Sequence, residues 1–406
     1  MKSFAALLAL VSLVAATPIT YNDQIPLKQP TYPGFDLDLN AHRLVQMEGQ
    51  APVWMTELEK IQAKAQGLKF FDITEAQDLG SSTHLVLKQD SFPTPNATET
   101  VRPILKKLSA KGPRENLEKF SSFRTRYYRS DTGRESQKWL LSKIFEVFVK
   151  SAVLRILCDR LVKITSEYAS ESLRDNILTT EFTHSWGQNS IITRIKGSSS
   201  TDDGVVVVGA HQDSTNMWPF LPAPGADDDG SGTVTILESY RALLAADFHP
   251  VRTIEFHWYS AEEGGLLGSQ AVAKDYAQRS VNILAMSQFD MTAWVKKGTR
   301  EEVGIITDFT DEGLTSFNKA LVDLYLDIPF VETKCGYACS DHASWRKAGY
   351  PSSFTIESSF ENSNKNIHST NDRIDISDEF SFDHMLEFSK LAVAFAVELG
   401  GYDLSK

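Results

Sequence analysis

From Asn189 to the C-terminus, apolar stretches of two periods alternate. Asn189–Ile195, Val205–Gly209, Thr253–Tyr259, Ile283–Phe289, Val303–Ile306 and Ser353–Ile356 read as strands. Val205–Gly209 is an unbroken apolar run, as expected of a strand buried on both faces. Between them Thr233–Leu244, Leu266–Ala277, Gly313–Tyr325 and Phe382–Leu399 carry apolar residues at helical spacing. The alternation predicts an α/β fold, a three-layer α/β/α arrangement with a mainly parallel mixed sheet. Sheets of this kind place their sites beyond the carboxyl ends of the strands.

Upstream the pattern changes. Residues 101–167 read as mostly helical, from the spacing of Leu105, Leu108, Leu117 and Phe120 and a second helix starting near Ser136. That second stretch, Trp139–Leu161, is apolar on too many faces for a surface helix. Leu44, Val45, Met47, Trp54, Leu58 and Ile61 predict short amphipathic helices over 41–67. After Phe70–Ile73 a polar Ser/Thr-rich stretch runs to Pro93 and Pro95 and reads as a linker. At the start, Met1-Lys2, an apolar run to Ala16 and the small residues Val14-Ala15-Ala16 predict a signal peptide over 1–16. The run is too short to span a bilayer. The expected organisation is therefore a signal peptide (1–16), a small helical propeptide with its linker (17–90) and one main domain (91–406).

Composition narrows the function. The chain has 406 residues, 42% hydrophobic and 23% charged, with a net charge of −12. The charge excludes a nucleic-acid partner, which selects the opposite sign. Asn96-Ala97-Thr98 is an N-glycosylation sequon, consistent with secretion. Of three cysteines, Cys335 and Cys339 are close enough for a disulfide in an oxidising compartment; the other reading is a pair of zinc thiolates. Cys158 is left over.

The chemistry concentrates in acidic and imidazole residues near strand ends. His211-Gln212-Asp213 follows one strand, Glu262-Glu263 another and Asp290 a third; Asp227-Asp228-Asp229 and His368 lie in loops. Each segment alone has a plain alternative: a surface turn, a solvated acidic turn or a helix N-cap. Together, carboxylates and two imidazoles suit Zn²⁺, and five ligands exceed one tetrahedral ion. A carboxylate shared between two ions resolves the count and predicts a two-metal hydrolytic site.

Gly209-Ala210-His211-Gln212-Asp213-Ser214, Pro224–Gly232, Ala261–Leu266, Gln288–Thr292, Cys335–His342 and Ile367–Thr370 are similar, in this order, to the motifs of metallopeptidase family 28, the co-catalytic zinc aminopeptidases. The resemblance runs from about Pro95 to the C-terminus and is strongest to the secreted fungal leucine aminopeptidases. It implies the zinc-peptidase fold and two Zn²⁺ per chain, held by His211, Asp228, Glu263, Asp290 and His368, with Asp228 bridging. It also implies Glu262 as general base, Asp213 as the partner of His211 and Tyr337 as the phenol that steadies the oxyanion. The substrate pocket would be lined by Met291, Phe354, Ile356, Phe360 and Ile367, favouring Leu-sized N-terminal residues. The partners expected are peptides with a free N-terminus and the chain's own propeptide as inhibitor, for a secreted monomer with no membrane or nucleic-acid partner. The same fold also carries glutaminyl cyclases, which use one zinc, and receptor domains without ligands. One departure stands out: residues 146–161 exceed the family pattern, either as a genuine insertion or as a retained non-coding segment.

Overall fold

The computed structural model describes residues 32–85, 91–147 and 176–403. The signal-peptide segment, Cys158 and the excess apolar stretch beyond Val147 lie outside the described residues. Two sheets organise the rest. The small one belongs to an N-terminal lobe made of β1 (His42–Met47), β2 (Val53–Thr56), α1 (Glu57–Ala65) and β3 (Phe70–Asp72). Its strand order is β2-β1-β3, antiparallel throughout.

The helices α2 (Thr98–Leu105), α3 (Lys111–Phe120) and α4 (Asp131–Glu146) lead into the main domain. There follow β4 (Ile177–Phe182), β5 (Ser190–Ile195), β6 (Val205–His211), α5 (Gly230–Ala245), β7 (Ile254–Tyr259), α6 (Leu267–Gln278) and β8 (Ile283–Phe289). β9 (Val303–Ile306), α7 (Glu312–Tyr325), β10 (Phe330–Thr333), α8 (His342–Ala348), β11 (Ser352–Ile356) and α9 (Phe382–Gly400) complete it. The eight strands lie in the order β10-β9-β11-β8-β6-β7-β5-β4. β6 is the centre, parallel to both β7 and β8; β4 and β5 continue the sheet antiparallel.

The two faces of β6 show why the layers form. Val206, Val208 and Ala210 pack with α5, α7 and α9 in one core, while Val205 and Val207 pack with α6 and α8 in the other. A period of two in an all-apolar strand thus supplies two cores at once. Ala76 and Leu79, just after β3, are buried in the second core beside Trp345, so the lobe is seated on the main domain. Among the described residues no helix is long and apolar enough to cross a membrane.

The N-terminal lobe departs from the all-helical expectation. Residues 42–56 form a β-hairpin, and only 57–65 are helical. The apolar positions misled because they face different surfaces: Leu44 and Val45 are buried, whereas Trp54 is 57% exposed. α4 also starts earlier than Ser136, at Asp131, because the Ser130 hydroxyl caps it by accepting from Gly133 N. β4, β10 and the seven-residue α8 carry no clear apolar period. The two strands are sheet edges and only half-buried.

Candidate metal centre

The parallel strands β6, β7 and β8 end on one edge of the sheet, and that edge collects the acidic segments. His211 is the last residue of β6, Glu262 and Glu263 follow β7, and Asp290 follows β8 directly. Asp228 sits in the loop between β6 and α5, and His368 in the loop after β11. The backbone here is forced: Ala261, Met291 and His368 have φ of 59°, 58° and 54°, a left-handed conformation that costs a non-glycine residue about 1–3 kcal/mol. Each adjoins an acidic side chain of the cluster or is one of its histidines. Gly232 is required at the start of α5, since a Cβ there would come within 2.4 Å of the Phe289 carbonyl oxygen.

The side chains converge as two triads that share one residue. His211 Nε2 lies 3.1 Å from Asp228 Oδ1 and 3.6 Å from Asp290 Oδ2. His368 Nε2 lies 3.0 Å from Asp228 Oδ2 and 3.0 Å from Glu263 Oε2. One carboxylate oxygen of Asp228 therefore faces each triad, and the ligand atoms within each triad lie within 4.8 Å of one another. His211 Nε2, Asp290 Oδ1 and Glu263 Oε1 are buried without a hydrogen bond, which a protein tolerates where another partner takes the lone pair. The donor set, two imidazoles and three carboxylates, fits zinc.

The electrostatics point the same way. Burial alone would disfavour a charged His368, but Glu263 and Asp228 outweigh it and raise the imidazole to about 9. His211 is also raised, burial being overcome by Asp290, Asp213 and Asp228. Glu262 is pushed well above the usual carboxylate range by burial, and then by Glu263, Asp341 and Asp290 against the pull of His211. A buried cluster negative enough to hold imidazoles protonated is one that receives cations.

Backbone amides hold these side chains in place. Asp213, expected to steady the His211 ring, has a carboxylate oxygen 3.5 Å from His211 Nδ1. The nearer partner of Nδ1 is the Asp213 carbonyl, at 3.1 Å. The Asp213 carboxylate instead accepts from the amides of Glu262 and Glu263 at 3.0 and 3.2 Å, fixing the segment that carries both. Asp229 accepts from His211 N, Gly232 N and Met291 N, tying together three elements. Two contributors escape the sequence reading. Ser340 Oγ donates to Asp290 Oδ2 at 2.6 Å. Asp372, buried, accepts from Asp227 N and Asp228 N at 2.9 and 3.0 Å. Its position four residues after His368, in the same loop, was the available signal.

Beside the triads lies a cavity of about 290 Å³. Asp228, Glu262, Glu263, Asp290 and His368 line one side; Met291, Phe354, Ile356, Phe360 and Ile367 line another, with Tyr337 and Cys339. Met291, Phe354 and Ile356 form a small core with Ile306, against which Phe360 and Ile367 pack. The Cys335–Cys339 disulfide is formed. The cavity has a further wall that sequence reasoning did not anticipate: Lys64, Leu68, Lys69 and Phe70 of the N-terminal lobe.

Comparison with known proteins identifies the family. A model of peptidase family M28 matches residues 190–393. Leucine aminopeptidase 1 of Phaeosphaeria nodorum is 45% identical over 415 residues, covering 98% of each chain. Leucine aminopeptidase 1 of Fusarium vanettenii is 48% identical over 363 residues, covering 87% of this chain and 86% of that one. Among solved structures, the LapA aminopeptidase of Legionella pneumophila superposes with a TM-score of 0.71 at 29% identity, covering 89% of this chain and 94% of that one.

Proposed function

The chain belongs to peptidase family M28 and is a metallo-aminopeptidase, and we propose that it is a secreted enzyme using two Zn²⁺ ions to release large hydrophobic residues, Leu foremost, from peptide N-termini. The observation that carries the two-metal reading is Asp228, with one oxygen turned to each triad. His211, Asp228 and Asp290 would hold one ion and Asp228, Glu263 and His368 the other. When bound, the ions supply Lewis acidity to the scissile carbonyl and lower the pKa of water.

The chain's own groups do the rest. Glu262, whose amide is pinned by Asp213, takes the proton of the attacking water and returns it to the leaving amine. The Tyr337 phenol, at the cavity wall, donates to the oxygen that becomes negative at the tetrahedral stage. The apolar wall of Met291, Phe354, Ile356, Phe360 and Ile367 takes the N-terminal side chain and offers an acidic one no partner, so desolvation penalises it.

Residues 17–90 are proposed to act as a removable inhibitor, cut between Leu79 and Pro93. Lys64, Leu68, Lys69 and Phe70 narrow the cavity from outside, and Lys69 Nζ sits 4.8 Å from the centre of the Tyr337 ring. Ser81, Thr83 and His84 are solvent-facing, as a nicking site requires. Asn96 is exposed, open to glycosylation during secretion.

The test pairs metal content with substrate preference. Two zinc per chain are expected, with Leu substrates turned over at least about 100-fold faster than Glu substrates. Equal rates on Glu remove the pocket assignment. A single zinc without release of free amino acid points instead to cyclase chemistry on the same fold.

A further inference from the structure

α1 carries lysines one turn apart, at 60 and 64, and both reach the loop that follows β7. Lys60 Nζ donates to the Gly264 carbonyl at 3.2 Å. Lys64 Nζ donates to the Glu263 carbonyl at 2.9 Å and pairs with Glu263 Oε2 at 2.5 Å. Asp72 N donates to the Gly265 carbonyl at 3.2 Å, and Gln270 Nε2 bonds both the Asp72 and Gly265 carbonyls. Three successive carbonyls of the loop are thus held by the lobe. The approach is close enough to need glycine at 265, where φ is +105° and a Cβ would lie 2.7 Å from Asp72 N.

The two lysines differ in what they do. Lys60 is engaged by acids of its own lobe, Glu57 and Asp72. The ion pair of Lys64 among the described residues is with Glu263, and the oxygen it uses is the one that also faces His368. The other triad, His211, Asp228 and Asp290, receives no cation from the lobe among the described residues. The lobe therefore makes the two triads unequal.

We propose that Lys64 competes with the second metal ion for Glu263, so that the unprocessed chain binds its first ion tightly and its second weakly until Lys64 withdraws. This rests on the two-metal reading. An ammonium 2.5 Å from a carboxylate oxygen and a divalent ion on the same carboxylate repel one another strongly in a site shielded from water. Lys64 is 23% exposed, against 2% for Glu263, so its path out to solvent is short. The lobe thereby sets metal occupancy as well as access.

The test is zinc titration of the stripped full-length chain, by calorimetry and by competition with a chromophoric chelator, with metal binding as the readout. The wild type should show one tight site and a second at least about tenfold weaker. Lys64→Met should tighten the second site at least about tenfold and leave the first unchanged. Lys64→Gln, which keeps a polar contact to the Glu263 carbonyl, should behave as Lys64→Met, guarding against a packing defect; Lys64→Arg should keep the wild-type pattern. Two zinc bound with the same affinities in wild type and Lys64→Met overturn the inference and leave the two-metal reading standing. One zinc in every variant removes that reading, and this inference with it.

Discussion

Two buried clusters of acidic side chains, joined by α1, are neutralised in different ways. In the lobe, Glu57 and Asp72 meet Arg43 and Lys60: Arg43 Nε is 2.7 Å from Glu57, and Lys60 Nζ is 3.0 Å from Glu57 and 2.9 Å from Asp72. Two acids face two bases, and the cluster is complete within the chain. At the sheet edge the ion-pair partners of Asp228, Glu263 and Asp290 among the described residues are His211, His368 and, from the lobe, Lys64, with Glu262 buried beside them. The first cluster holds two segments together. The second is incomplete by construction and open to a cavity. A buried charge deficit beside a pocket marks chemistry, whereas a buried balanced cluster marks structure.

The largest expected effect separates the clusters by readout. Glu262→Gln removes a titratable carboxyl group from the deficient cluster without touching a proposed ligand. Turnover of the purified enzyme should fall by about 10²–10⁴-fold, with zinc content and unfolding midpoint unchanged. Wild-type kcat in this variant would take the general-base role away from Glu262. The lobe cluster should respond in the opposite manner. Lys60→Met leaves Glu57 and Asp72 short of a cation, and such a break costs about 3–5 kcal/mol. A lowered urea midpoint of the full-length chain checks it, with Lys69→Met, at an exposed position, as control. Equal midpoints for the two variants would mean that the lobe cluster contributes nothing to folding.

What the sequence made legible follows the same division. β6, β8 and α9 were readable because their environment is uniform: a strand or helix buried all round carries its own apolar record. The edge strands β4 and β10 and the lobe hairpin were not, since half-exposed strands mix polar and apolar positions without a clean period. That the acidic and imidazole residues placed after strands would come together was legible, and the structure gathers them into two groups. Their supports were harder. Asp372 and Ser340 act through two backbone amides and a single carboxylate oxygen, contacts that only tertiary structure creates. Lys64 was invisible for the same reason: nothing in a helical lysine announces that its partner lies 199 residues away.

The smallest effect extends the comparison to buried groups outside both clusters, by acid titration. Glu255, inside β7, accepts from Arg194 Nε at 2.7 Å and Tyr276 Oη at 2.8 Å, and its Oε2 lies 2.9 Å from His257 Nε2. Burial would raise it, but His257, Arg194 and Tyr276 outweigh burial and bring it down to about 2 from the ordinary 4.5. His184, stacked on Trp186 with ring centres 4.3 Å apart and bonded to Ser190 Oγ, is lowered by burial to about 3 from 6.5. In both cases the unfolded chain binds the proton more readily than the folded one. Stability from both groups is then complete above about pH 6.5. As pH falls from 6.5 toward 3 the share from His184 is lost, and below about 4.5 the share from Glu255 follows, each on the order of a few kcal/mol. Urea midpoints at pH 7, 5.5 and 4 should decline across the series. His184→Phe, which keeps a ring against Trp186, should flatten the decline from 7 to 5.5. Glu255→Gln should start lower at pH 7 and lose less below 4.5. Acid protonation of the clustered residues at the sheet edge adds to every variant equally, so the differences between variants carry the result. A His184→Phe profile parallel to the wild type would show that this histidine does not titrate on unfolding.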